Sequence, residues 1–180
     1  MNTFVAGIPS VNTVTASTET NLDSNVMGID HIAVAVPDLE AAVAWATGKL
    51  GGRVIEQRET RGRLSGMRSA VVKLGGSVMV FVQGIGEDSQ VSQFVEKHGA
   101  GVQHIALQVM DIGKAIADYE TLGMAFSTPR LDSPKLSQRF SQRDPATGLM
   151  IELIERRNYD GFSDDNVQKL FESLEGNNLY

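Results

Sequence analysis

Residues 28–39 read Gly28-Ile29-Asp30-His31-Ile32-Ala33-Val34-Ala35-Val36-Pro37-Asp38-Leu39, and residues 101–112 read Gly101-Val102-Gln103-His104-Ile105-Ala106-Leu107-Gln108-Val109-Met110-Asp111-Ile112. The two stretches align without a gap at an offset of 73 residues (104 − 31). Gly, His, Ile, Ala, Val and Asp recur in place, and the apolar positions match by type. Such self-similarity marks a chain built from a repeated supersecondary unit.

Each copy carries the same local signals. Ile32 to Val36 is a short apolar, β-branched run, which reads as a strand. Pro37-Asp38 ends it, and Asp38 is placed to cap a helix starting near Leu39. Leu39, Ala42, Val43 and Ala46 fall on one helical face. The second copy repeats this with a strand Ile105 to Val109, Asp111 as cap, and Ile112, Ala115, Ile116 and Tyr119 on one face. Gly-punctuated strands follow: Arg53 to Glu56, Ser69 to Lys73 and Val78 to Gln83 in the first half, Met124 to Ser127, Leu136 to Ser141 and Leu149 to Glu155 in the second. Each half is therefore β-α-β-β-β, and a unit of roughly 55 residues cannot bury both faces of its sheet alone. The expected fold is α+β: two tandem βαβββ modules curling one mixed sheet around a cleft, with a C-terminal helix. Residues 27–157 form this paired domain, 1–26 a flexible N-terminal arm, and 158–180 a C-terminal helix or lid.

Two of the three histidines, His31 and His104, occupy equivalent repeat positions. A pseudo-two-fold axis brings such positions to opposite sides of the central cleft, at what read as strand starts. Glu152, within Leu149-Met150-Ile151-Glu152-Leu153-Ile154, is a carboxylate in an apolar strand, and coordination to a cation relieves its burial cost. Two imidazoles and one carboxylate form the facial triad that suits non-haem Fe(II) and leaves positions open for substrate and oxygen. Subtracting the repeat offset from Glu152 gives Met79 (152 − 73), whose thioether is a poor ligand for a hard divalent ion. The expected site therefore has three protein ligands, with Fe(II) favoured and Mn, Co, Ni or Zn as alternatives.

Composition narrows the classes. The 180 residues are 42% hydrophobic, enough for one sizeable core, and the net charge is −6 with a pI near 5.0. An acidic chain without a basic run argues against nucleic acid or anionic membrane as partner. The absence of cysteine excludes disulfides, thiolate metal sites and cysteine nucleophiles. Residues 1–26 are rich in Ser, Thr and Asn and lack a basic n-region and a long apolar h-region, so no signal peptide is read there. No stretch reaches the roughly 18 apolar residues of a membrane span, and a cytoplasmic location is expected.

These motifs resemble the vicinal oxygen chelate superfamily, which includes glyoxalase I, methylmalonyl-CoA epimerase, bleomycin-resistance proteins and extradiol dioxygenases. Within it, the chain is most similar to the metal-binding C-terminal domain of 4-hydroxyphenylpyruvate dioxygenase. Ile29-Asp30-His31, Ser65-Gly66-Met67-Arg68-Ser69, Ser89-Gln90-Val91 leading to Gly99 through Leu107, and Ile151-Glu152-Leu153-Ile154-Glu155-Arg156 followed by Gly161-Phe162 and residues 166–172 carry the likeness. It covers residues 28 to 175 and implies that the terminal helix closes over the site. Met150 and Ile151 replace that family's aromatic pair, Ser163 ends its GFG motif, and the separation of His104 and Glu152 (152 − 104 = 48) is shorter than in the dioxygenases. Aromatic residues are 6% of the chain, so a small non-aromatic substrate is expected. The resemblance also allows a homodimer.

Gln103 stands at the family position that touches substrate. Gln138 and Ser137 lie on the strand before Glu152 and are candidates to line the cleft. Ser65, Ser69 and Phe162 are further substrate candidates; turn chemistry explains the serines equally well. Phe171 reads as lid or docking face. His98 lacks a repeat partner and is assigned to the surface, Trp45 to packing, and the Gly75-Gly76 and Gly84-Ile85-Gly86 stretches to turns. Three functions compete. The first is an Fe(II) dioxygenase acting on a small non-aromatic 2-oxo acid or similar chelating substrate. The second is a metal-dependent epimerase or isomerase of a cyclitol, sugar-like or acyl-CoA substrate, which needs a base such as Glu56, Glu59 or a glutamine-assisted water. The third is a ligand-sequestering resistance protein.

Overall fold

The computed structural model describes residues 25–62, 65–159, 161 and 168. Two modules follow one another. The first is β1 (Val26–Ala35), α1 (Leu39–Leu50), β2 (Arg53–Arg61), β3 (Gly66–Leu74) and β4 (Ser77–Ile85). After a linking helix α2 (Gln90–His98) comes the second: β5 (Gly101–Val109), α3 (Ile112–Thr121), β6 (Leu131–Asp132), β7 (Leu136–Phe140) and β8 (Ile151–Arg156). All eight strands join one curled mixed sheet in the order β2-β3-β4-β1-β5-β8-β7-β6. The order is symmetric about the β1–β5 seam. These two strands pair antiparallel, while β1–β4 and β5–β8 are parallel.

The repeated capping signals act as their chemistry requires. Asp38 Oδ1 accepts from Ala41 N and Asp111 Oδ1 from Lys114 N, both at 2.9 Å, satisfying an otherwise orphaned helix N–H. Gly51 ends α1 in the left-handed region at φ 69°, which only glycine adopts without strain. α1 buries Leu39 and Ala46 against Ala70, Val72 and Phe81. α3 buries Ile112, Ala115 and Ile116 against Val109 and Leu153. Both helices cover the convex face of the sheet. α2 packs on the other face, where Val91 joins Ala33, Ala35, Val71, Val80 and Val82. That arrangement leaves a cleft on the concave side.

Several sequence expectations need correction. The histidines stand inside their strands rather than at the starts, because β1 begins at Val26 and β5 at Gly101. No strand forms over 124–127; a single bridge, Phe126↔Ser141, remains there, and the short Leu131–Asp132 pair supplies the module's second strand. α2 has no counterpart in the repeat and escaped the repeat comparison. Trp45 lies 51% exposed on the outer face of α1, so it is not a packing residue. His98 is exposed at the last turn of α2. The proposed C-terminal helix or lid, including Phe162 and Phe171, lies outside the described residues apart from 158, 159, 161 and 168, as does the arm over 1–24.

Candidate metal centre

The register across the seam assembles three donors. His31 pairs with Ala106, and Ala33 with His104, so the two imidazoles sit diagonally on one face about the Ile32↔Ile105 pair. Ala106 in turn pairs with Glu152 on β8, bringing the carboxylate beside them. The small side chains of Ala33 and Ala106, both fully buried, leave room for the rings. His31 Nε2 lies 3.3 Å from His104 Nε2 and 3.3 Å from Glu152 Oε2, and His104 Nε2 lies 3.2 Å from the same oxygen. Bonds of about 2.0–2.1 Å to one cation hold neighbouring donors about 3.0 Å apart at right angles and about 3.4 Å apart at tetrahedral angles. The donor set and its spacing therefore fit a divalent metal.

The register corrects the identity of the fourth position. Ile32 pairs with Met79 and Ala33 with Val80, whereas Ile105 pairs with Ile151 and Ala106 with Glu152. Glu152 is thus the counterpart of Val80, one residue off the sequence offset, and Met79 faces α1. Val80 offers no donor atom, so the position remains without a ligand.

Each imidazole is oriented from behind. Asp30 Oδ1 is 2.7 Å from His31 Nδ1, and Gln103 Oε1 bonds His104 Nδ1, so both Nε2 atoms point into the cleft. Such outer partners set tautomer and ring orientation. The two supports occupy equivalent repeat positions and differ in charge. Asp30 is also clasped by Arg156, whose Nε and Nη2 donate to its two oxygens at 2.5 and 2.8 Å. Arg156 Nη1 reaches the Tyr159 and Gly161 carbonyls as well. Burial would raise the Asp30 carboxyl, but Arg156 and His31 hold it well below the usual carboxylate range. In the metal-free protein, burial opposes a charge on His31, yet the Glu152 carboxylate and the Asp30 bond raise it to about 9. Burial pushes His104 the other way, despite Glu152. Glu152 stays ionised against its burial because both imidazoles face it.

The three candidate donors open into a cleft also lined by Glu56, Arg58, Met67, Ser69, Gln103 and Gln138. Ser65 is not among its lining residues, and Ser137 faces away, bonded to Asp132 and to Arg157. Phe140 stands edge-on to His104 at 5.2 Å between centroids. Sequence reasoning missed Phe140, although period-two alternation from Gln138 would have found it. It also missed Asp30 as the His31 support, although a polar residue precedes each repeat histidine. Glu56 and Arg58 reach the cleft by a β-bulge. Val54 pairs with Val72, facing α1, whereas Glu56 pairs with Val71 and Arg58 with Ser69, facing the cleft. The extra residue between them flips the strand, as bulges beside functional sites do. Glu59 is left outside, exposed.

The model of the Glyoxalase/Bleomycin resistance protein/Dioxygenase superfamily matches residues 30–139. The chain belongs to this superfamily. Human mitochondrial methylmalonyl-CoA epimerase is 34% identical over 120 residues, covering 63% of this chain and 66% of that enzyme. The 4-hydroxyphenylpyruvate dioxygenase of Pseudomonas aeruginosa is 28% identical over 157 residues, covering 68% of this chain and 44% of that one. The chain thus spans less than two thirds of the length of these curated relatives. Among solved structures, methylmalonyl-CoA epimerase from Mycobacterium tuberculosis superposes with a TM-score of 0.62 at 26% identity, over 73% of this chain and 89% of that one. A mutant 4-hydroxymandelate synthase from Streptomyces coelicolor shares the fold, with a TM-score of 0.73 at 21% identity over 84% of this chain and 54% of that one. No described helix is long and apolar enough to cross a membrane.

Proposed function

We propose that the protein is a metal-dependent isomerase or epimerase that moves a proton on the carbon next to a carbonyl group. The observation that carries this reading is Glu56, a carboxylate outside the ligand set that a β-bulge turns into the same cleft. His31, His104 and Glu152 would hold the divalent cation, which as a Lewis acid polarises a carbonyl oxygen and acidifies the neighbouring C–H. Glu56 takes that proton and returns it. Arg58 pairs with Glu56 and holds its carboxylate on the cleft side. The side-chain amides of Gln138 and Gln90 line the cleft, and the buried Nε2 of each lacks a hydrogen-bond partner among the described residues. A buried donor left unpaired is costly, so both are suited to substrate oxygens. Val71, Val80, Val82, Val91 and Phe140 keep the rest of the wall dry. The 34% identity to the human epimerase, against 28% to the bacterial dioxygenase, supports the same reading.

A second reading is an Fe(II) dioxygenase of a small 2-oxo acid. Val80 in the fourth symmetric position favours it, because three protein ligands leave positions for a chelating substrate and oxygen. β3 presents Met67, Ser69 and Val71 to the cleft rather than a carboxylate. One experiment separates the two. The Co(II)- or Mn(II)-loaded protein is incubated in D2O with methylmalonyl-CoA and with small 2-oxo acids, and deuterium uptake is followed by NMR. Exchange that is lost in Glu56→Gln at unchanged metal content supports the isomerase. Substrate-dependent O2 uptake by the Fe(II) protein, without such exchange, replaces it with the dioxygenase.

A further inference from the structure

We propose that Arg58 is the anchor for an anionic group on the substrate, remote from the oxygens that meet the metal. The substrate class is then a dianionic carbonyl compound, one end at the metal and a carboxylate or phosphate at Arg58. The inference rests on the metal-centre reading and deepens it.

Three observations carry it. Among the described residues lining the cleft, Arg58 is the one guanidinium, and its side chain is 14% exposed. The cleft it enters is also lined by Met67, Val71, Val82 and Val91, and a guanidinium desolvated there is held by negative partners, of which Glu56 is one. The bulge between Val54 and Glu56 turns it inward, although β2 is an edge strand with solvent available on its other face. The sheet order gives the geometry. Glu56, Val71, Val80, Ala33 and His104 are successive cross-strand partners. Four strand spacings of about 4.8 Å separate Glu56 from His104 along the curved surface, about 19 Å in all. Arg58 therefore faces the metal set from the opposite wall of the curl, and an anion it binds lies several bonds from the chelating oxygens. A planar guanidinium matches carboxylate or phosphate with paired N–H donors. Glu56 is its partner in the pair and competes with the incoming anion.

An inward-facing charge on an edge strand also deters sheet-to-sheet aggregation, and the test separates that role from anion binding. The Co(II)-loaded protein is titrated with 2-oxopentanoate, with 2-oxoglutarate of the same length, and with phosphohydroxypyruvate, following the visible absorption of the metal. At least one dianion is expected to bind tenfold or more tightly than 2-oxopentanoate, the better one naming carboxylate or phosphate. Arg58→Gln is expected to cut that preference below threefold at unchanged metal content, and Arg58→Lys to keep part of it. Glu56→Gln removes the competing charge and is expected to raise dianion affinity severalfold. Opposite signs in the two variants distinguish an anchor from a structural pair, in which both variants weaken the fold together. No preference in the wild type, or a preference surviving Arg58→Gln, overturns the proposal while the metal centre stands. Failure of Co(II) to bind, or Co(II) binding that survives Glu152→Ala, overturns both.

Discussion

Replacing Asp30 by Asn tests whether the charge behind His31 matters to the metal centre. The Asp30 and Arg156 side chains are 8% and 10% exposed, so the pair is a buried one. Removing one member of a buried pair costs about 3–5 kcal/mol, because the other charge is left without compensation. For a domain of 150–250 residues about 2–4 °C of Tm is lost per kcal/mol, so a fall of about 6–20 °C is expected. Asparagine keeps the shape and can still accept from His31 Nδ1–H, but it no longer strengthens that bond with a charge. Losing such support typically weakens metal affinity by about 10–100-fold. The equivalent position in the other module supplies an internal control. Gln103 is already neutral, so Gln103→Leu is expected to weaken the metal less than Asp30→Asn does. Melting curves with and without Co(II), together with competition against a chromogenic chelator, give both quantities. A metal affinity in Asp30→Asn equal to the wild type, with Tm alone reduced, would falsify the orienting role and leave Asp30 as a structural partner of Arg156.

Three further outcomes are expected. Val80→Glu places a carboxylate at the symmetric counterpart of Glu152: the metal-free protein should lose about 3 kcal/mol, Co(II) should restore its Tm, and the chelator should compete less well; an unchanged metal affinity would mean that the register does not bring residue 80 to the cation. Metal affinity should climb about tenfold per pH unit from pH 6.5 toward 9 and then level off, because the cation displaces a proton from His31, whose pKa is raised to about 9. By the same linkage, the His31 contribution to the stability of the metal-free fold is complete below pH 6.5 and lost as pH rises through about 9, which melts across that range check. Gly84→Ala puts a Cβ 2.6 Å from the backbone nitrogen of Ser92, and should cost about 1–3 kcal/mol by overpacking, read from denaturant midpoints.

The paired modules were legible because the repeat keeps a gap-free offset over 28–39 and 101–112 and because strand, cap and helix signals recur after it. Asp38 and Asp111 illustrate this: each caps its helix as the local pattern requires. The α2 segment was not legible in that way, since it belongs to neither copy. No strand forms over 124–127 because pairing needs a partner edge, and among the described residues the stretch meets one at the isolated bridge Phe126↔Ser141. Trp45 was misjudged because its helix turns that position outward while Ala46 faces the core. Among site candidates, Gln103, Gln138 and Ser69 line the cleft whereas Ser65 does not. The choice between Glu56 and Glu59 was closed to sequence, since alternation alone cannot show where a bulge inverts it.

The sequence by itself determined that two like units share a sheet, and it singled out His31, His104 and Glu152 as candidate donors for a cysteine-free metal site. Those follow from periodicity and donor chemistry, which are properties of residue order and type. Register belonged to the tertiary structure. Backbone pairing across strands decided that Val80, not Met79, mirrors Glu152. It also decided that Asp30 answers to Arg156, 126 residues away, and that Glu56 and Arg58 face the cleft. A shift of one residue moves a side chain to the other face of a sheet, and the offset between repeats does not record such a shift, because hydrogen bonds between strands set it rather than the spacing along the chain.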